Sequence, residues 1–199
     1  TFLDSLGVNA QNAMTLFIPN TYEAYWTSSP KSFLKKMKKE SDKFWEKDNR
    51  EEKLKELGMT RQQVYTLASI VDKETQQNIE KATIAGLYLN RIAQDMPLQA
   101  DPTVVFAVND FTIKRVTQRH IATLSPYNTY LNKGLPPGPI GMASASGIDA
   151  VLNHEKHNYL YMCARPDTSG RHNFAETFAA HVAFANIYRE WLTKQGLGL

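Results

Sequence analysis

Apolar residues recur at helical spacing along most of this chain and alternate at strand spacing only between about residues 159 and 175. Val64, Leu67, Ile70 and Val71 step by three and four positions, which predicts a helix with one inward face. Thr60 suits its N-cap, and Gln63 stands three residues later, as a capping box requires. Upstream, residues 30–58 read as one densely charged helix ended by Gly58, with Phe33, Leu34, Met37, Phe44 and Trp45 inward. Downstream, Ile79–Ile92 reads as a helix presenting Ala82, Ala85, Leu89 and Ile92 to the core. Asp101-Pro102 marks a further helix start, Asp as N-cap and Pro in the first turn, opening the short apolar segment Thr103–Val108. Residues 122–147 are rich in Pro, Gly, Ser and Asn and read as a long loop, a type of segment that often carries function. Tyr159–Ala164 and Arg171–Ala175 then predict a hairpin through Pro166–Gly170, and Phe178–Thr193 a final helix. The pattern is that of an α+β fold, a helix-dominated domain with a small antiparallel sheet. It divides into 1–58, a linking segment and charged helix, and 59–199, the main domain.

One acidic residue breaks the apolar pattern. At 100° per residue, Glu74 falls in the arc of Leu67, Ile70 and Val71. Asp72 lies ~160° away round the helix and is expected to point outward. An acid held among apolar groups is harder to ionise, which suits a proton donor near neutral pH. On spacing alone, a structural ion pair with a core-facing Arg or Lys is the stronger reading of Glu74.

Composition narrows the rest. A chain of 199 residues, 42% apolar and 22% charged, holds one good core. The net charge of +3 gives no footprint for nucleic acid, and the lysines at 31–39 are followed by acids at 40–52, as on a solvated helix face. Cys163 is alone, so it forms neither an intrachain disulfide nor a cysteine metal cluster, and it reads as a small buried residue. No run of residues approaches the ~18 apolar positions of a membrane span. The chain begins at Thr1 rather than Met and reads as part of something longer. His154 and His157 are spaced for one helical face but lack a third ligand nearby, and no metal site is expected. His172 shares a strand face with Phe174, as a functional group or as a cross-strand pair. What remains is Glu74 with Tyr127 and Tyr130, whose rings could stack on sugars, and the amides Gln99 and Asn128, which could bind hydroxyl or acetamido groups. Tyrosine-rich loops are also ordinary packing, and composition leaves that choice open.

The chain resembles the endolytic murein transglycosylases of the YceG-like family. The matching stretches are Phe17-Ile18-Pro19-Asn20-Thr21-Tyr22, Leu67 to Thr75, Asn90-Arg91 and Leu98-Gln99-Ala100-Asp101-Pro102-Thr103-Val104. They continue with Tyr127-Asn128-Thr129-Tyr130, Gly134 to Ile140, Tyr159-Leu160-Tyr161, His172-x-Phe174 and His181. The resemblance runs from about Phe17 to Glu190. It implies that Glu74 is catalytic, matching the second acid of the family's Glu-x-Glu pair, with Asp72 in place of the first. After Ile140 the chain carries Met142-Ala143-Ser144 where the family often has Asn-Pro-Gly. The implied reaction is lytic cleavage of the β-1,4 bond between N-acetylmuramic acid and N-acetylglucosamine in peptidoglycan glycan strands, leaving 1,6-anhydromuramic ends. Gln99, Tyr127, Asn128, Tyr130 and His172 would bind the glycan, and no cofactor is needed. Peptidoglycan synthases are the implied partners. The implied location is the periplasmic face of the bacterial inner membrane, through an N-terminal membrane helix absent from this sequence. Two rivals stand beside this reading. A hydrolytic muramidase would need a second cleft acid, for which Asp101 is the nearest candidate. A non-enzymatic peptidoglycan-binding or division scaffold would keep the groove and use Glu74 only to bind.

Overall fold

A computed structural model describes residues 1–197. Its eight helices and one two-stranded antiparallel sheet make the α+β class. Helix α1 (Pro30–Trp45) starts with Ser29 as N-cap and Pro30 in the first turn. The single charged helix expected over 30–58 is in fact two. Asp48 and Asn49 both adopt left-handed backbone (φ 57°), which ends α1 and resets the direction of α2 (Arg50–Leu57). Arg50 fixes the break: its guanidinium is buried, donates to Asp149 at 2.7 Å and to the Phe44 carbonyl at 2.9 Å, and lies over the Phe44 ring. Gly58 ends α2 in left-handed conformation, as expected. Of the expected inward face of α1, Met37 and Trp45 are buried and Phe33 is exposed.

Helix α3 (Arg61–Glu74) has the expected capping box between Thr60 and Gln63. It runs through the middle of the protein, and Val64, Tyr65, Leu67, Ala68, Ile70 and Val71 are fully buried. Against it pack α4 (Asn78–Ala93) and α7 (Ala145–Leu152). Ile18, Trp45 and Leu54 join the same apolar cluster, and the Tyr65 hydroxyl donates to the Phe17 carbonyl at 2.6 Å. Residues on both sides of Gly58 therefore share one core. A smaller cluster of Leu6, Val8 and Leu16 closes the N-terminal end.

The buried face of α4 differs from the expected one. Ile84, Ala85, Leu87 and Tyr88 are buried, whereas Ala82, Leu89 and Ile92 are half-buried. The reason is that three charged residues of α4 also turn inward, each with partners: Glu80 to His172, Lys81 to Asp72, Arg91 to backbone carbonyls. Gly86 is required on this helix because a Cβ there would lie 2.3 Å from the Glu155 carbonyl oxygen. Helix α5 (Asp101–Val108) is capped at Ala100, so Asp101 is its first helical residue and not the cap. A short helix α6 (Gln118–Ile121) lies just ahead of the long loop, which lasts until α7.

Strands β1 (Tyr161–Ala164) and β2 (His172–Ala175) pair antiparallel, with Met162 opposite Phe174 and Ala164 opposite His172. Helix α8 (Phe178–Lys194) packs back on this hairpin. Because α7 ends at Leu152, His154 and His157 lie beyond it and not on a helical face; the His157 ring bonds the Thr83 carbonyl at 2.9 Å. Cys163 is half-buried rather than buried. Among the described residues, no helix is long and apolar enough to cross a membrane.

Candidate active site

Glu74 is the last residue of α3, where the core face of the helix meets a cleft. The inward arc of the sequence thus delivers its carboxyl to the cleft wall, partly buried. The Tyr88 hydroxyl, from α4, donates to Glu74 Oε1 at 2.6 Å. Burial raises the Glu74 pKa from about 4.5 to about 7; the Tyr88 hydrogen bond opposes the rise, the nearby Asp101 charge adds to it, and Arg91 opposes it. Its position at the negative end of the helix dipole acts in the same upward direction. Burial also lifts the Tyr88 hydroxyl well above the ordinary tyrosine range, and the Glu74 charge pushes it further, so Tyr88 stays protonated and remains a donor. The salt-bridge reading of Glu74 does not hold in the structure. Its short contact is with a neutral phenol, and Arg91 acts on it only as a more distant charge.

Two cavities meet at Glu74 and Asp101. The smaller, of about 280 Å³, is lined by Tyr88, Arg91, Gln99, Tyr130 and His172 along with the edge of β1. The larger, of about 780 Å³, runs between α5, the segment 111–116 and the C-terminal half of α8. Glu74 and Asp101 belong to both walls.

Four of the six expected site residues come together in the smaller cavity: Glu74, Gln99, Tyr130 and His172. Gln99 sits in left-handed backbone (φ 52°) and accepts from Arg91 through Oε1 at 3.2 Å. Tyr130 donates to Asp101 Oδ1 at 2.6 Å. His172 is held by Glu80, which accepts from its backbone N–H at 2.9 Å and lies 3.2 Å from its Nδ1.

The other two residues do not reach the cleft. Asn128 is 0% exposed, and its amide donates to the carbonyls of Ile121 and Thr123 at 2.7 and 2.8 Å. It holds the long loop in shape, where a groove-wall residue was expected. Tyr127 packs behind Phe106 with the rings tilted by 52° and 4.8 Å between centroids, and so supports a residue that lines the larger cavity.

Asp72 corrects a further expectation. It does turn away from Glu74, but into the protein: it pairs with Lys81 at 2.7 Å, and both side chains are nearly buried. It also accepts from the Ser144 backbone N–H at 2.7 Å and from its hydroxyl at 3.0 Å. Ser144 in turn caps α7 by accepting from Gly147 N–H. The Met142-Ala143-Ser144 stretch is therefore the link that ties α7 to α3.

Sequence reasoning missed Tyr88 and Arg91. Arg91 stood within the Asn90-Arg91 match without a role; it is 7% exposed and donates to the carbonyls of Leu160 at 2.6 Å and Leu98 at 2.8 Å. It thereby ties α4 to the approach to β1 and to the loop that leads into α5. Tyr88 carried no signal, because its meeting with Glu74 depends on how α3 and α4 pack. Among the described residues, no three His, Cys, Asp or Glu side chains are grouped to hold a metal.

The YceG-like family pattern matches residues 3–186. This chain belongs to the YceG-like family. The match begins ahead of Phe17, where the motifs start. Among similar proteins, the endolytic murein transglycosylase of Bacillus subtilis (strain 168) is 39% identical over 116 residues, covering 58% of this chain and 31% of that protein. The endolytic murein transglycosylase of Streptococcus pneumoniae (strain D39) is 35% identical over 115 residues, 56% of this chain and 21% of that protein. The matched part thus spans less than a third of the length of either relative. A crystal structure of a YceG-like protein from Listeria monocytogenes superposes with a TM-score of 0.74 at 35% identity, covering 85% of this YceG-like chain and 54% of that one.

Proposed function

We propose that this YceG-like chain is the catalytic part of a peptidoglycan lytic transglycosylase, acting within glycan strands at the β-1,4 bond between N-acetylmuramic acid and N-acetylglucosamine. The observation that carries the proposal is Glu74: a carboxyl at the junction of two cavities, with a pKa near 7, anchored through one oxygen by a neutral tyrosine. The names of the bacterial relatives support the same reaction class.

In this reading Glu74 acts twice. Tyr88 occupies Oε1, which leaves Oε2 to carry the proton. Protonated Glu74 donates to the glycosidic oxygen as the bond to C1 breaks, and the N-acetylglucosamine chain leaves as an alcohol. The resulting carboxylate then takes the proton of the muramyl C6 hydroxyl while that oxygen closes on C1. The proton count balances, water is not consumed, and Glu74 returns to its starting form. Tyr88 steadies the carboxylate in the middle of the cycle, when it is charged. Arg91, Gln99, Tyr130 and His172 supply hydrogen-bonding groups along the smaller cavity for sugar hydroxyl and acetamido groups. In the proposed division residues 59–199 carry the catalytic groups, and 1–58, the linking segment and charged helices, packs onto the same core. The proposed setting is the cell envelope, with glycan strands as substrate and peptidoglycan synthases as partners.

One observation favours a second reading. Asp101 lies in both cavity walls beside Glu74 and accepts from Tyr130, so a second carboxylate is present in the cleft. A hydrolytic muramidase would use such a pair, one acid and one base or nucleophile. Mass spectrometry of digested sacculi separates the readings. Anhydromuramic ends made by the wild type and lost in Glu74→Gln support lytic cleavage. Reducing ends support the muramidase, and no new ends would leave a binding role.

A further inference from the structure

The two cavities differ in chemistry as well as in size. The smaller is polar and closely set, as a single sugar ring with its hydroxyls would require. The larger is nearly three times its volume, with a wall of Val105, Phe106, Phe111, Ile113 and Val116. Three cations enter that wall: Lys73, Lys114 and Arg115. All three are exposed, and among the described residues no acidic side chain pairs with any of them, so their charge is open to a ligand, while the acids of the same wall, Glu74 and Asp101, sit together at its junction with the smaller cavity. The Lys73 stem runs beside Gly141, where an added Cβ would lie 3.4 Å from its Cε. Phe111, 69% exposed, stands edge-on to Phe106 at the rim. A pocket that combines an aliphatic and aromatic wall with unpaired cations is complementary to a branch carrying methyl groups and carboxylates.

We infer that the larger cavity receives the peptide branch that muramyl residues carry through their lactyl ether, with Lys73, Lys114 and Arg115 meeting its carboxylates. The inference rests on the proposed glycan-cleaving function and adds the part of the substrate that selects the cleavage site. Strands bearing peptides are then the preferred substrate. The preference arises beside Glu74, because both cavities share that residue as a wall.

The test compares peptide-bearing glycan strands with the same strands stripped of peptides by an amidase, using full-length protein and counting anhydromuramic ends by mass spectrometry. The wild type is expected to favour the peptide-bearing strands by about tenfold or more, the scale of one or two charge-assisted contacts. In Lys114→Glu/Arg115→Glu the ratio of the two rates should collapse towards one, and in Lys114→Arg/Arg115→Lys it should persist. Because the readout is a ratio, partial loss of folded protein does not mimic the effect. A wild-type ratio near one, or a ratio unchanged by charge reversal, overturns the inference while leaving glycan cleavage intact. If the wild type makes no anhydromuramic ends from either substrate, the proposed function fails and this inference falls with it.

Discussion

Replacing Glu74 by Gln should stabilise the folded protein at mildly alkaline pH and leave it nearly unchanged in acid. The carboxyl titrates near 7 in the folded chain and near 4.5 when exposed. A tenfold change in proton affinity is worth ~1.4 kcal/mol, so the full difference corresponds to about 3 kcal/mol. The folded state holds its proton over the window from about 4.5 to about 7, where the unfolded chain has lost it. Stability therefore falls as pH rises through that window, and the loss is complete above it. Residual exposure at the cleft reduces the figure, leaving about 2–3 kcal/mol. Gln is uncharged at every pH, and its carbonyl can still accept from Tyr88, so the mutant escapes the penalty without losing that contact. For a chain of this length, 1 kcal/mol shifts the melting temperature by ~2–4 °C, so a gain of roughly 5–10 °C is expected at pH 8. The assay is a pair of thermal melts, wild type and Glu74→Gln, at pH 4.5 and pH 8. Comparing the two proteins at each pH cancels the titration of every other group. A mutant no more stable than wild type at pH 8, or a difference of equal size at both pH values, would refute the claim that the carboxyl is desolvated. It would return Glu74 to the role of a satisfied ion-pair partner.

Three further outcomes are expected. Asp72→Asn leaves Lys81 nearly buried without its carboxylate and should cost about 3–5 kcal/mol by denaturant unfolding, yet the folded fraction should still cleave glycan, because Asp72 faces away from the cleft. Asn128→Ala frees the carbonyls of Ile121 and Thr123 from their donor inside the protein and should lower stability by about 1–3 kcal/mol, with turnover per folded molecule little changed; a loss of turnover at unchanged stability would place it in the groove after all. Tyr88→Phe removes a donor that favours ionised Glu74, so the alkaline limb of the pH–rate profile should move to higher pH, and a limb left in place would show that the hydrogen bond does not tune the acid.

Much of the framework follows from local chemistry that a sequence displays. The helical repeat of Val64, Leu67, Ile70 and Val71, the Thr60–Gln63 capping box and the Gly58 stop each involve residues within a turn or two of one another, and each appears where expected. The same local geometry put Glu74 on the inward arc, and it set Asp72 on the opposite side. The hairpin came from alternation and turn residues and formed with slightly shorter strands. What the repeat could not supply was the partner of any inward polar group, since partners come from other elements. The break at Asp48 and Asn49 depends on Arg50 being captured by Asp149, ninety-nine residues away. The inward face of α4 depends on Glu80, Lys81 and Arg91 finding partners on β2, α3 and the approaches to β1 and α5. Tyr127 and Asn128 have the side-chain types of a sugar site, but packing turned one behind Phe106 and the other into the loop's own carbonyls. The sequence by itself thus determined most of the helices, the hairpin and the inward placement of Glu74. Tertiary packing decided that this acid meets Tyr88 rather than a cation, and with that its protonation near neutral pH, because desolvation and hydrogen-bond partners are set only when distant segments come into contact.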